Sequence, residues 1–297
     1  MRLNPVLRNE SKLSVRTARF SLMLLIYIAV LSVGTLIFYN GYSSEVYASG
    51  INPQNAVSLY IIMAVIQAIL LMFIVPSLTA TSICSEREKQ TLDILLSTRL
   101  KPLQIILGKL SASSLKVIML IICTIPLYAI CGLVGGIKLS NILVLIGSFI
   151  INTIFVGSIG VFISTYSKTS KAATALCYAL VLFIFVGTVV IAYIILLINT
   201  SRGIYSGVTT PPSISPIAYL SPVTGFFVML SNQVGFGGNS FYFIGQIGMS
   251  KYTEYISVGI QVVLSCIFIG FAARRLNPLN RKRNKKVKIK TKKKVKE

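Results

Sequence analysis

The sequence predicts an all-α integral membrane protein that crosses a bilayer about six times. Two properties of the 297 residues predict this class. Hydrophobic residues make up 54% of the chain and charged residues only 12%, and the mean hydropathy is +0.79. A soluble domain carries about twice that share of charge. A soluble fold would leave too much apolar surface in water, so a lipid bilayer is the solvent that suits this composition.

The spans follow from the length of the uncharged stretches. A helix needs about 20 mostly apolar residues to cross the hydrocarbon core of a bilayer. Six stretches without a charged residue meet or approach this length: Phe20–Tyr39, Ala56–Ile83, Val117–Leu133, Ile142–Ser164, Ala172–Ile198 and Tyr255–Ala273. Each is continuously apolar, whereas the strands of a membrane barrel alternate apolar and polar residues. Residues 20–273 are therefore predicted to form one six-helix transmembrane domain.

The distribution of Lys and Arg orients this domain. If both termini, the second-to-third loop and the fourth-to-fifth loop face one side, that side holds 26 of the 29 basic residues. The other side holds Lys138, Arg202 and Lys251. Short cytosolic loops are enriched in Lys and Arg, so both termini are predicted to be cytosolic and the protein to lie in the cytoplasmic membrane. Basic residues at membrane edges also argue against a nucleic-acid partner, which needs them on a folded polar surface.

Two terminal segments flank the spans. Residues 1–19 mix apolar and basic side chains, which predicts an amphipathic helix in the membrane interface; a loosely ordered basic flank is the alternative. The apolar run that follows is too long for a cleaved signal peptide, so the first span is expected to be retained. Residues 274–297 are mostly polar and basic, which predicts a disordered tail that contacts anionic membrane lipids.

The loop over residues 199–254, predicted to be external, is long and almost uncharged. It contains an apolar run, Ala218–Leu230, that is too short to span and is bracketed by Pro and Gly. Such a run predicts a re-entrant or interfacial hairpin. An ordinary lid packed on the outer face is the alternative.

Residue types narrow the chemistry. The chain has no histidine, which removes Ser-His-Asp triads and His-ligated metals. Its five cysteines contain no CxxC pair and are interpreted as small buried hydrophobes, so neither a metal nor another cofactor is predicted. Ion-coupled carriers usually need an ionisable residue inside a span, and none falls in the predicted spans. That absence favours an apolar or amphipathic cargo, and the polar residues Gln67, Asn152 and Gln261 are interpreted as interhelical hydrogen-bonding groups.

The loop between the second and third spans contains the most specific pattern. Its leucines recur at helical spacing on one face: Leu92, Leu95, Leu96 and Leu100. Acidic residues stand at the start of the segment and basic residues at its end, as the helix macrodipole favours. An amphipathic helix is therefore predicted over about residues 85–101, ending before Pro102. Having no core of its own to join, this helix must rest on lipid or dock into a partner.

The segment resembles the permease subunits of ABC-type-2 exporters, which carry a pattern close to E-x-E-x-G-T-L-E-x-L-L-x-T-P followed by a Gly-Lys pair. The matching residues are Glu86, Glu88, Thr91, Leu92, Leu95, Leu96, Thr98 and Gly108-Lys109. Three positions depart from the pattern, with Gln90 for the glycine, Asp93 for the glutamate and Arg99 for the proline. The opening Asn4-Pro5-Val6-Leu7 is also similar to members of this class.

The resemblance implies a function. In that family the segment is a coupling helix that sits in a groove of a separate ATP-binding subunit, so the contact with the ATPase would be formed by Glu86, Glu88, Thr91, Leu92, Leu95 and Leu96. It implies a permease that pairs with a second copy or a related permease and exports a substrate with ATP hydrolysed by the partner. The sequence itself lacks the G-x-x-x-x-G-K-[ST] phosphate loop. A membrane-embedded enzyme, a channel or secondary carrier, and an anchor or immunity protein without transport are the alternatives.

Overall fold

The computed structural model describes residues 18–49, 53–92, 101–201, 216–234 and 252–276. Within these ranges every regular element is a helix. The α-helices are α1 (Ala18–Ser49), α2 (Pro53–Thr79), α3 (Cys84–Glu88), α4 (Pro102–Cys123), α5 (Ile125–Gly135), α6 (Leu139–Tyr166), α7 (Ser170–Leu182), α8 (Thr188–Ser201), α9 (Pro216–Leu220), α10 (Pro222–Val234) and α11 (Thr253–Leu276). A π-helical turn, Phe183–Gly187, joins α7 to α8.

Six helical stretches of the described chain are long and apolar enough to cross a membrane. They are Phe20–Ile37, Val57–Glu88, Pro102–Ile130, Leu139–Tyr166, Ser170–Ile195 and Thr253–Leu276. This confirms the all-α fold with six spans. The interfacial helix predicted for residues 1–19 lies almost wholly outside the described residues, as does most of the tail 274–297, and both stay predictions.

The third span begins much earlier than the expected Val117. Pro102 opens α4 at a position where its fixed backbone angle suits a helix and its missing N–H costs nothing. The backbone N–H of Lys101 donates to Gln104 Oε1 at 3.0 Å, which caps this first turn. Lys109 and Lys116 consequently lie inside helix α4. The predicted start of the third span at Val117 is therefore too late, since the helical stretch Pro102–Ile130 includes both lysines.

The fourth span, α6, occupies the centre of the bundle and packs against α2, α4, α7 and α11. Gly160 allows its closest contact. A Cβ atom added there would lie 2.1 Å from Thr79 Oγ1 and 2.8 Å from Thr79 Cβ. Small residues let membrane helices approach this closely. The end of α2 is thereby fixed against α6 shortly before α3 begins.

Buried polar side chains also join the spans. Tyr128 donates to Gln67 Oε1 at 2.5 Å, and Gln67 Nε2 donates to Thr124 Oγ1 at 3.2 Å. Gln67 thus links the second span to the third, as interpreted from the sequence. Gln261 bonds instead within its own helix, to Ser257 at 3.4 Å. Asn152 differs from both, since its buried Oδ1 has no hydrogen-bond partner among the described residues.

The apolar run Ala218–Leu230 of the loop predicted to be external forms most of α9 and α10. Gln233, near the end of α10, exchanges hydrogen bonds with Asn141 at 3.1 and 3.2 Å and accepts one from Tyr60 at 2.7 Å. Phe226 packs against Phe149 of α6 with ring centroids 5.7 Å apart. These contacts place α10 against the second and fourth spans. The re-entrant interpretation concerns depth in a bilayer, which these contacts do not measure, and it stays a prediction.

Candidate functional site: the turn between the second and third spans

The short helix α3 is held by a buried serine of the fourth span. The backbone N–H groups of Ile83 and Cys84 both donate to Ser164 Oγ at 2.9 Å. The first N–H groups of a helix have no partner within the helix itself. One buried hydroxyl from α6 satisfies two of them, so the start of α3 is fixed relative to the fourth span.

The three charged residues of α3 follow one another in sequence, and each contacts a different span. Arg87 reaches the end of α6, where its guanidinium donates to the carbonyl oxygens of Ser167 and Thr165, the latter at 3.0 Å. The last carbonyls of a helix lack intrahelical partners and carry partial negative charge, so a cation there is favourable. Arg87 therefore caps the fourth span.

Glu88 reaches the start of the fifth span. Its Oε1 accepts the backbone N–H of Ser170 at 2.7 Å, and its Oε2 accepts the Ser170 hydroxyl at 2.5 Å. Ser170 is the first residue of α7. An anion at a helix N-terminus satisfies free N–H groups and complements the helix dipole. Glu88 therefore caps the fifth span, although its side chain is otherwise exposed.

Glu86 reaches the third span. Its Oε1 lies 3.1 Å from Lys109 Nζ of α4, while its Oε2 accepts the hydroxyl of Thr91. The Thr91 N–H also donates to the Glu86 carbonyl at 2.9 Å. The side chain of Lys109 is 6% exposed and that of Glu86 is 30% exposed. The Glu86 carboxylate thus joins the residues that follow α3 to the body of the third span.

The chain turns sharply at Gln90. Its φ of +59° is the only positive value of a non-glycine residue in the described ranges. Helix α3 ends at Glu88, so the structure departs from the single continuous helix predicted over 85–101. The physical reason is this left-handed residue, which a helix cannot contain. Gln90 also occupies the position where the resembling permeases carry glycine, the residue that adopts this conformation without steric cost.

Replacing Gln90 with glycine is expected to stabilise the turn. A left-handed conformation costs a non-glycine residue about 1 kcal/mol, which glycine avoids. We expect Gln90→Gly to raise the melting temperature in detergent by about 2–4 °C, the shift that such a free-energy gain produces in a large domain. Gln90→Ala is the control, since alanine keeps the penalty. A lower melting temperature for the glycine variant would contradict this assignment.

Leu92 packs inside the protein. It is 8% exposed and joins an apolar cluster with seven other buried residues: Ile83, Ile105, Ile106, Leu110, Val161, Ala272 and Leu276. These residues come from the end of the second span, the start of the third and the ends of the fourth and sixth. Their convergence places these helix ends on one side, as alternating crossings require. Leu92 is therefore fixed to this side of the bundle.

The structure brings four of the six predicted site residues into one turn: Glu86, Glu88, Thr91 and Leu92. Each of the four contacts its own chain. Leu95 and Leu96 lie outside the described residues, so their role stays a prediction. Among the described residues, no group of His, Cys, Asp or Glu is arranged to hold a metal ion.

Sequence reasoning missed the partners of this turn. Arg87, Lys109, Ser164 and Ser170 were not among the predicted site residues. Two of them had a signal: Arg87 lies between the two predicted glutamates, and Lys109 belongs to the Gly-Lys pair of the family pattern. The two serines had none, since serines are common along these spans.

Comparison with known proteins places this turn in a wider context. A family model described as an ABC-2 family transporter protein matches residues 43–273. The match covers well over half of the chain, including the second to fifth spans, most of the sixth and the whole turn around α3. A comparison with curated proteins returned no match.

Proposed function

Because the chain belongs to the ABC-2 family of transporter proteins, we propose that it is the permease subunit of an ATP-driven exporter whose ATPase is a separate subunit. The family establishes a membrane transport component. The ATPase partner, the outward direction and the pairing with a second copy or a related permease are the proposed parts. The concentration of 26 of the 29 basic residues on one predicted side supports the cytoplasmic membrane and cytosolic termini.

The observation that best supports an ATPase dock is the anchoring of both ends of segment 93–100. Before it, Thr91 bonds to Glu86, and Leu92 is buried among four spans. After it, Lys101 leads directly into the capped first turn of α4. A segment anchored at both ends can pass a partner's movement to the spans. A segment without these anchors would bend and would not pass the movement to the spans.

Within this proposal the predicted contact residues divide into two groups. Leu95 and Leu96 would dock in the ATPase groove, as the resemblance to the family implies. Glu86, Thr91 and Leu92 would hold the docking segment on the permease, because their contacts lie within the chain. Glu88 is exposed, so it could touch a partner while it caps the fifth span.

The test is recovery of an ATPase with the tagged permease from its native membrane. Leu95→Asp or Leu96→Asp is expected to lower this recovery by at least about tenfold, because a charge placed in a buried apolar contact costs more than 1.4 kcal/mol. The amount of permease in the membrane should stay unchanged.

Ser97→Asp is the matched control. It adds the same charge to the same segment, away from the leucine face, and should leave ATPase recovery near the wild-type level. Unchanged recovery with both leucine variants would show that this face is not the dock. If no ATPase is recovered with the wild-type chain, even after gentle cross-linking, the proposed function is wrong.

A further inference from the structure

A small cavity lies between the second, fourth and fifth spans, near the middle of all three. Its walls are largely apolar and include Leu71, Phe149 and Phe185, while the polar side chains that line it are Asn152 and Thr153. It offers about 10 Å³ to the centre of a water-sized sphere. That is about the space of one water molecule and far below the volume of a pocket for a drug-sized ligand.

Asn152 brings a hydrogen-bond acceptor to this cavity. It occupies the fourteenth position of the 28-residue helix α6, so about 20 Å of helix separates it from either end. Its side chain is half-buried, but its Oδ1 atom is buried and has no hydrogen-bond partner among the described residues. An unsatisfied polar atom is costly at this depth in a bilayer, where bulk water is absent. The amide oxygen therefore needs a donor from outside the described helices.

The second span contributes another acceptor, because Pro76 lies in the interior of α2. In a regular helix the carbonyl oxygen of Met72 accepts the N–H of residue 76, and proline has no N–H. The next carbonyl, that of Phe73, accepts the hydroxyl of Tyr178 at 2.8 Å, so the fifth span already supplies one donor at this break. Met72 lines the cavity, and its carbonyl has lost its regular donor.

The chemistry of the lining selects the occupant. The acceptors of Asn152 and Met72 are neutral oxygens, so the occupant must donate hydrogen bonds. The Thr153 hydroxyl donates to the Phe149 carbonyl at 2.8 Å, which leaves its oxygen as a further acceptor. A cation is disfavoured, because no carboxylate lines the cavity and the other walls are apolar. A buried water needs about two to four polar partners, and these oxygens provide them.

We propose that the cavity binds one water molecule, which donates to Asn152 Oδ1 and to the Met72 carbonyl oxygen and so joins the second span to the fourth at Pro76. The water replaces the hydrogen bond that proline removes. Because water exchanges, the second span can bend at Pro76 without leaving a bare carbonyl in hydrocarbon. The site consists of residues of this chain alone, so it does not depend on the proposed function.

The test is hydroxyl-radical footprinting of the full-length permease, with any subunit that co-purifies, in lipid nanodiscs. X-ray pulses split water, and the radicals oxidise side chains beside it. Met72 is the reporter, because it lines the cavity and methionine is readily oxidised to its sulfoxide. Met63 is the reference in the same helix, since it is buried and lies outside the cavity lining. We expect Met72 to be oxidised several-fold faster than Met63.

Two variants remove one partner of the water each. Asn152→Leu replaces the amide with an apolar group of similar size, and Met72 oxidation should fall to the level of Met63. Pro76→Ala returns a backbone N–H to the Met72 carbonyl and should lower Met72 oxidation several-fold. Ser158→Ala is the matched control, because Ser158 is buried in the same helix as Asn152 and donates to the Phe155 carbonyl of that helix. It should leave Met72 oxidation unchanged.

Each other result overturns part or all of this assignment. Met72 oxidation no faster than that of Met63 in the wild type would show a dry cavity and overturn the water site. Oxidation that survives in Asn152→Leu also overturns it, and oxidation that survives in Pro76→Ala overturns the bridge to the second span. Slower oxidation in sodium chloride than in choline chloride would identify a bound sodium ion in place of water. If Asn152→Leu does not fold, Pro76→Ala decides.

Discussion

Replacing Gly160 with alanine is expected to lower the stability of the protein by about 3 kcal/mol, at the upper end of the cost of overpacking a core. The added methyl group would lie 2.8 Å from Thr79 Cβ and 3.2 Å from the backbone nitrogen of Ala80. A rotation of the Thr79 hydroxyl cannot relieve contacts with a Cβ atom and a backbone atom. The second and fourth spans must then separate at the point where the second span leads into α3.

The measurement is the melting temperature in detergent, which should fall by about 6–12 °C at 2–4 °C per kcal/mol. Gly147→Ala is the matched control, because it lies in the same helix and a Cβ there would meet nothing within 4 Å. An equal loss for both variants would show that helix flexibility, and not close packing, explains the effect. Unchanged melting of the Gly160 variant would contradict the predicted contact.

Replacing Ser164 with alanine is expected to cost about 2–4 kcal/mol, since a buried donor left without a partner costs about 1–3 kcal/mol. Two donors lose their acceptor in this variant, the backbone N–H groups of Ile83 and Cys84. The start of helix α3 then loses its anchor on the fourth span, while Arg87 still bonds the end of that span. The melting temperature should fall, and under the proposed function ATPase recovery should fall as well.

Ser158→Ala provides the comparison for this prediction. Ser158 is also buried in α6, but its hydroxyl donates only to the Phe155 carbonyl of its own helix. Its removal leaves no donor unsatisfied, so a loss below about 1 kcal/mol is expected. Similar losses at the two positions would mean that Ser164 does not anchor α3.

The spans could be predicted because each crossing of the bilayer requires a long stretch without charged residues. Such a stretch is visible in the local sequence. The one large error, the start of the third span, has a physical cause. Lys116 ended the charge-free stretch that begins at Val117. The helix nevertheless continues back through Lys116 and Lys109 to Pro102, and the charge of Lys109 is met by Glu86, 23 residues earlier. No rule applied to one stretch of sequence can anticipate such a partner.

The same limit of local sequence rules applies to the candidate site. The pattern around Glu86, Glu88 and Thr91 pointed to one turn as the candidate site, because the family pattern is local. The partners of these residues are distant in sequence: Ser170 lies 82 residues after Glu88, and Ser164 lies 81 residues after Ile83. Leu92 is equally instructive, since an apolar stripe does not reveal whether it packs on the same chain or on another.

The π-helical turn of the fifth span has a consequence for the face that this span presents. Buried residues recur at every fourth position: Ala173, Cys177, Val181 and Phe185. In an α-helix a four-residue step overshoots a full turn by about 40°, so three steps would rotate the buried face by about 120°. The wide turn at Phe183–Gly187 absorbs part of this drift, and burial resumes at Thr188 and Ala192.

A π turn is a single-turn widening within an α-helix. A relative without it would therefore align only with a gap of about one residue near Phe183–Gly187. A single helical wheel drawn through the whole fifth span would therefore mix the buried and exposed faces of α7 with those of α8. A cysteine-labelling scan should instead show two reactive stripes out of phase, one in α7 and one in α8.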